Sequence, residues 1–212
     1  MRDYFQGPFN PGGSLAGFYT LRPADAIFLG APLVDRGSAT DHAIEARCSD
    51  LRTAIAKLKP ISARDALILL RSSFSAPKLL HTLRCTPCEG HPLLTTHDHL
   101  LRESVSAICN SHLGDFQWIQ ASLPVREGGL GIRRVSSLAL SAFFASATST
   151  SELQTLILLN CPSGVDNRVH DARVRWSSIN KIPCPATSDP LNIGHGILLA
   201  SPATGTQFGT TL

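Results

Sequence analysis

The chain has 212 residues, 43% of them apolar and 17% charged, which suits a globular protein with room for one ordinary core. Nineteen basic and sixteen acidic residues leave a formal charge of +3, an excess too mild to identify a partner. The start, Met1 to Pro8, has no apolar signal core, and no apolar run approaches the roughly 18 to 20 residues that cross a bilayer, so a secreted or membrane-spanning protein is not expected. The six cysteines (48, 85, 88, 109, 161 and 184) form no compact disulfide framework, and a reducing intracellular setting, nuclear or cytoplasmic, is the expectation.

Residues 1–37 read as irregular. Gly7, Pro8, Pro11, Gly12, Gly13 and Gly17 break any helix, and Ala26-Ile-Phe-Leu29, closed by Gly30 and Pro32, reads as a short buried strand. Helices follow. Ile44, Cys48, Leu51, Ile55 and Leu58 recur at spacings of three and four, so they share one stripe of a helix that Pro60 ends and that Ser38 and Asp41 cap. Ser62 to Asp65 caps the next, lined inside by Ala66, Leu69, Leu70 and Phe74. Pro77 suits the first turn of a third, carrying Leu79, Leu80 and Leu83. Thr95 to Asp98 opens a fourth, with Leu101, Val105 and Ile108 on its stripe. A short helix from Asp115 stops before Pro124. Beyond a glycine-rich turn at 128–131 come two more, over about 136–147 and 151–159. Arg168 to Ile179 is a further helical stretch whose Val169, Val174 and Trp176 are irregularly spaced; from Lys181 on, Pro, Gly, Thr and Ser predict a disordered tail.

Charge is uneven along this series. Residues 57–84 hold Lys57, Lys59, Arg64, Arg71, Lys78 and Arg84 against the single acid Asp65, a local surplus of five that suits either a polyanion or a solvated helix face.

The stretch from Arg84 to His99 packs Cys85, Cys88, His91, His97 and His99 into sixteen positions and resembles a zinc knuckle. The spacing argues against one. A structural zinc site takes four ligands, usually as two close pairs. His97 and His99 would point about 200° apart around a helix, which leaves only Cys85, Cys88 and His91. A helix end, a turn at Gly90 and a helix start explain the same residues, so no metal site is expected. Cysteine catalysis is not expected either, since nothing in the sequence sets a base and an orienting carboxylate beside a thiol.

The most distinctive segment is Leu123-Pro-Val-Arg-Glu-Gly-Gly-Leu-Gly-Ile132, followed by Arg133 and Arg134. Its glycines permit a tight turn with Leu130 and Ile132 tucked inward, and it lacks the Gly-Lys-Ser/Thr of a phosphate-binding loop. Preceded by Trp118-Ile-Gln-Ala-Ser122, it resembles the segment that follows the thumb in reverse transcriptases of LINE-type (non-LTR) retrotransposons. Ile27 to Leu33 resembles the Phe-Leu-Gly element that ends the palm of those enzymes, and Ser62 to Arg71 and Ala76 to Cys88 resemble thumb helices. In this order the resemblance covers residues 25–160, about two thirds of the chain.

The resemblance implies a mainly α, thumb-like helical bundle at 38–160, preceded by a palm remnant with a short β or irregular segment at 1–37 and followed by a weakly structured tail at 161–212. Family members are RNA-directed DNA polymerases whose palm aspartates hold two Mg²⁺ ions. This chain has no adjacent aspartates and no lysine before Phe28-Leu29-Gly30, so no catalytic residue and no cofactor is assigned to it, and polymerisation by the chain alone is not expected. A truncated or decayed copy, or a gene model that starts inside one, would account for this. What the resemblance leaves is nonspecific contact with the phosphates of an RNA–DNA or DNA duplex by Arg64, Arg71, Lys78, Arg84, Arg126, Arg133 and Arg134, with Phe28, Leu29 and Gly30 as a primer-gripping element. Two other readings compete. A helical protein–protein module would use the apolar stripes and keep the charges for solubility, and a small zinc protein would use Cys85, Cys88 and His91.

Overall fold

The computed structural model describes residues 26–33, 37–157 and 167–181. Among them the protein is mainly α-helical, with a sheet of two very short strands, β1 (Ile27–Phe28) and β2 (Ala31–Pro32). The strands pair antiparallel, Ile27 opposite Pro32 and Phe28 opposite Ala31. Leu29 (φ 50°) and Gly30 (φ 82°) close the hairpin with two positive φ angles, the geometry that matches strand twist in a two-residue turn. The strand expected over residues 26–29 forms only at Ile27–Phe28, and it is exposed where burial was expected. Ala31 and Pro32 are buried, but Phe28 is 64% and Leu29 81% exposed. A two-residue strand has too little length to hide both faces. The hairpin is held instead by Thr86, whose hydroxyl donates to the Pro32 carbonyl.

Helix α1 (Ser38–Leu58) buries Ile44, Cys48, Leu51 and Leu58 along the expected stripe. Its start differs from the sequence reading: Gly37 stands at the cap position and no side chain caps it. Asp41 turns away to meet His91 Nε2 at 3.0 Å. Helix α2 (Ala63–Leu69) is capped as expected, the Asp65 amide donating to Ser62 Oγ at 3.2 Å. It continues into a π-helical turn at Leu70–Phe74. Because the π-turn rotates the chain, Leu70 is buried while Leu69 is exposed, against expectation. Helix α3 (Ala76–Cys85) starts on Pro77 and buries Leu79 and Leu83.

Helix α4 (Pro92–Ile108) begins a turn earlier than Thr95. His91 Nδ1 accepts from the Leu93 amide at 3.3 Å, and Pro92 fills the first turn, where its missing N–H costs nothing. His97 and Asp98 are therefore interior residues of α4 and buried, and the Thr95–Asp98 cap does not form. Helix α5 (Asp115–Ser122) follows a turn that Arg102 clamps, donating to the Leu113 carbonyl from Nε (3.0 Å) and Nη2 (2.6 Å) and to Asp115 from Nη1 (2.7 Å). Helix α6 (Val135–Ser149), α7 (Ser151–Ile157) and α8 (Asn167–Asn180) complete the described chain.

Two cores share α1 and α4. One joins Ile44, Cys48, Leu79, Leu83, Leu94, Val135 and Ala139, with α3 packed along α6. The other joins Leu51, Leu70, Leu101, Val105, Trp118 and Ile132. A third, smaller cluster packs Phe143 and Phe144 of α6 against Ala172 and Trp176 of α8. The boundary drawn at residue 160 thus assigns to the tail a helix that covers part of the bundle. The residues beyond 181 expected to form the tail, and residues 1–25, lie outside the described residues.

The glycine-rich turn is a compact loop. A 3₁₀ turn at Val125–Glu127 ends on Gly128 (φ 81°), and the Leu130 and Gly131 amides donate back to the Ala121 and Leu123 carbonyls at 3.1 and 2.8 Å. Ile132 is fully buried, whereas Leu130 remains exposed. Gly129 is the tightest position: a Cβ there would lie 2.1 Å from the Leu123 carbonyl oxygen and 2.7 Å from that of Gln120. At Gly128 a Cβ would meet nothing within 4 Å and only the positive φ would oppose it. Gly129→Ala is therefore expected to lower the unfolding free energy by about 2 kcal/mol, and Gly128→Ala by about 1 kcal/mol, in urea titrations. The reverse order would show that the loop tolerates backbone contact at 129.

Candidate nucleic-acid interface

The basic side chains do not form one continuous face. Arg64 on α2, Arg71 in the π-turn and Arg84 in the last turn of α3 are exposed and make no ion pair among the described residues. Arg71 lies over the glycine loop, since a Cβ on Gly131 would come within 2.8 Å of Arg71 Cδ and 3.5 Å of Val125 Cγ2. The π-turn and the loop that carries Arg126 thus meet at Arg71. Arg126 is exposed, with Glu127 Oε1 at 3.5 Å from its Nε, and Arg133 is half-buried.

Two of the seven candidates face other duties. Lys78 Nζ is 3.5 Å from Asp50 on α1, an exposed ion pair of the kind worth little to stability. Arg134 is half-buried, and its enclosed Nε has no partner among the described residues. Its charge acts on Asp98, which is only 7% exposed and accepts from the Val135 amide (2.7 Å), the Ser136 amide (3.1 Å) and the Ser136 hydroxyl. Burial raises the Asp98 pKa, and those hydrogen bonds together with Arg134 oppose the rise.

The exposed hairpin tip sits against the outer side of α3, where His81 Nε2 is 3.0 Å from the Leu29 carbonyl. This brings Phe28, Leu29 and Gly30 beside the helix that carries Lys78 and Arg84. Those two basic residues are six positions apart, about 120° around the helix axis, so they flank its exposed face rather than share a line.

Comparison of the chain with family models, curated proteins and solved structures gives no match. The site must be read from its own geometry.

The cysteine- and histidine-rich stretch is dispersed by the fold. Cys88 and His97 are buried, Cys85 and His99 exposed, and His91 is engaged with Asp41 and the Leu93 amide. Among the described residues no three His, Cys, Asp or Glu side chains converge to hold a metal ion. Sequence reasoning also placed no base beside a thiol, and here the structure differs. His81 Nδ1 is 3.9 Å from Cys85 Sγ, and the group orienting the ring is the Leu29 carbonyl instead of a carboxylate. The i, i+4 spacing of His81 and Cys85 on a helix was the available signal. No helix among the described residues is long and apolar enough to cross a membrane.

Proposed function

We propose that this chain is a thumb-like segment of a LINE-type reverse transcriptase that binds duplex nucleic acid through phosphate contacts, within the nucleus or cytoplasm. The observation that supports the reading is the outward set of Arg64, Arg71 and Arg84 on a helical bundle, without ion pairs among the described residues, with Arg71 lying on the glycine loop that carries the most distinctive motif of the resemblance. Arg126 and Arg133 extend that group, and Phe28, Leu29 and Gly30 form an exposed apolar tip next to α3. Arg134, whose charge acts on the buried Asp98, takes a structural part, and Lys78 contributes after releasing Asp50. No catalytic role is assigned to the chain, which carries no paired aspartates.

Fluorescence anisotropy with an RNA–DNA duplex tests the reading. The logarithm of affinity should fall linearly with the logarithm of salt concentration, at about 0.9 per phosphate neutralised. Arg71→Gln should reduce that slope by about one unit for any duplex sequence. Gly131→Ala should do the same, because its methyl group displaces the Arg71 stem, whereas Gly128→Ala, with comparable backbone strain and open space, should leave the slope unchanged. Binding that ignores salt would sink the proposal and favour the protein–protein module.

A further inference from the structure

We propose that Cys85 is a thiol–disulfide exchange site, activated by His81, that accepts a low-molecular-weight disulfide. The geometry is that of a nucleophile, a base and an orienting group. Cys85 is the last residue of α3 and is exposed; His81 lies one turn earlier on the same face, with Nδ1 at 3.9 Å from Sγ. The tautomer follows from the third member. A backbone carbonyl can only accept, so the 3.0 Å contact with Leu29 requires the proton on His81 Nε2. In the neutral ring Nδ1 then carries the lone pair and faces the thiol. Leu29 itself has φ 50°, a conformation that leucine rarely adopts, and the hairpin that imposes it aims the carbonyl at the ring.

The chemistry balances without any further reagent. The thiol proton passes to His81 Nδ1, and the imidazolium is held by the Leu29 carbonyl on its other nitrogen. The Cys85 thiolate attacks one sulfur of the disulfide RSSR, forming a Cys85 S–S bond while the RS–SR bond breaks. The departing RS⁻ takes the electron pair and recovers the proton from Nδ1 as RSH. Cys85 is oxidised to the mixed disulfide and one R–S unit is reduced to a thiol. This site does not depend on duplex binding.

Cys109 supplies an internal comparison, since it is also exposed and also stands at a helix C-terminus, but its thiol makes no hydrogen bond to a histidine among the described residues. The full chain is treated with bis(2-hydroxyethyl) disulfide, a neutral probe that removes any attraction by the neighbouring Arg84, and the adduct at each cysteine is followed by peptide mass spectrometry. Cys85 should react at least about tenfold faster than Cys109 near pH 7, a modest share of the roughly hundredfold or more that a positioned general base supplies. His81→Phe should bring Cys85 down to the Cys109 rate while circular dichroism shows unchanged helix content. Equal rates at the two cysteines in the unmodified chain, or a Cys85 rate that survives His81→Phe, would overturn the assignment.

Discussion

Asp98→Ala should lower the unfolding free energy by about 4 kcal/mol, close to the loss seen when one partner of a buried polar pair is removed. The reason lies at the start of α6. The first amides of any helix lack internal partners, and Arg134, at the cap position, provides no side-chain bond to them. Asp98 supplies it from α4, taking the Val135 and Ser136 amides and the Ser136 hydroxyl on its two oxygens. Its negative charge also complements the positive end of the α6 dipole and the Arg134 guanidinium. Alanine would leave the buried Val135 amide without an acceptor and remove the negative charge that Arg134 acts on. Asn should cost about half as much, because its carbonyl oxygen still serves Val135 while its NH₂ opposes the Ser136 amide. Urea titrations of the two variants test the ranking. A loss under about 1 kcal/mol for Asp98→Ala would mean that water replaces the carboxylate, and the α4–α6 junction would then not be what fixes this end of the bundle.

The same residue shows where the sequence stops being informative. Local signals were legible: the Ser62–Asp65 cap, Pro77 in a first turn, and the Ile44–Cys48–Leu51–Leu58 stripe all depend on neighbours three or four positions away. Thr95 and Asp98 have the same local look, yet Asp98 serves amides 37 and 38 positions on, and no spacing rule announces such partners. The Pro92 signal for the true start of α4 was present, but a histidine ring as cap acceptor is uncommon enough to be passed over. In α8 the stripe looks irregular when only Val169, Val174 and Trp176 are counted. Including Ala172 gives 169, 172 and 176, the real inner face, with Val174 turned out. Alanine carries too little hydrophobic signal to reveal it. For the candidate interface, counting charges located the basic stretch, but only the fold separates Arg71 on the glycine loop from Arg134, whose charge acts on Asp98, and Lys78 paired with Asp50. The Cys85–His81 pair was visible as spacing. Its orienting carbonyl, 52 residues from His81, was not.

Mild acid should destabilise the protein through His97. This ring is fully buried on α4, and neither nitrogen has a hydrogen-bond partner among the described residues. Burial disfavours the imidazolium and lowers its pKa from 6.5 to about 4. Above pH 6.5 the ring is neutral whether the chain is folded or not, so its protonation leaves stability untouched. Between 6.5 and about 4 the unfolded chain takes up a proton that the folded chain refuses, and stability falls with each step toward acid. By pH 4 the loss should reach about 3 kcal/mol, because each pH step of one between the two pKa values removes about 1.4 kcal/mol. Asp98, beside it in sequence, works in the opposite sense: its raised pKa lets the folded state bind a proton first as the pH drops, which returns part of the loss at the acid end of the range. His97→Leu separates the two. It should flatten the decline between pH 6.5 and 4 and leave the chain no less stable at pH 7, because an apolar side chain removes two unpartnered polar atoms from the core. Thermal unfolding followed by circular dichroism across this range decides it. A variant as acid-sensitive as the original would move the origin of the effect away from α4, and a variant much weaker at pH 7 would show that the ring makes a bond that leucine cannot.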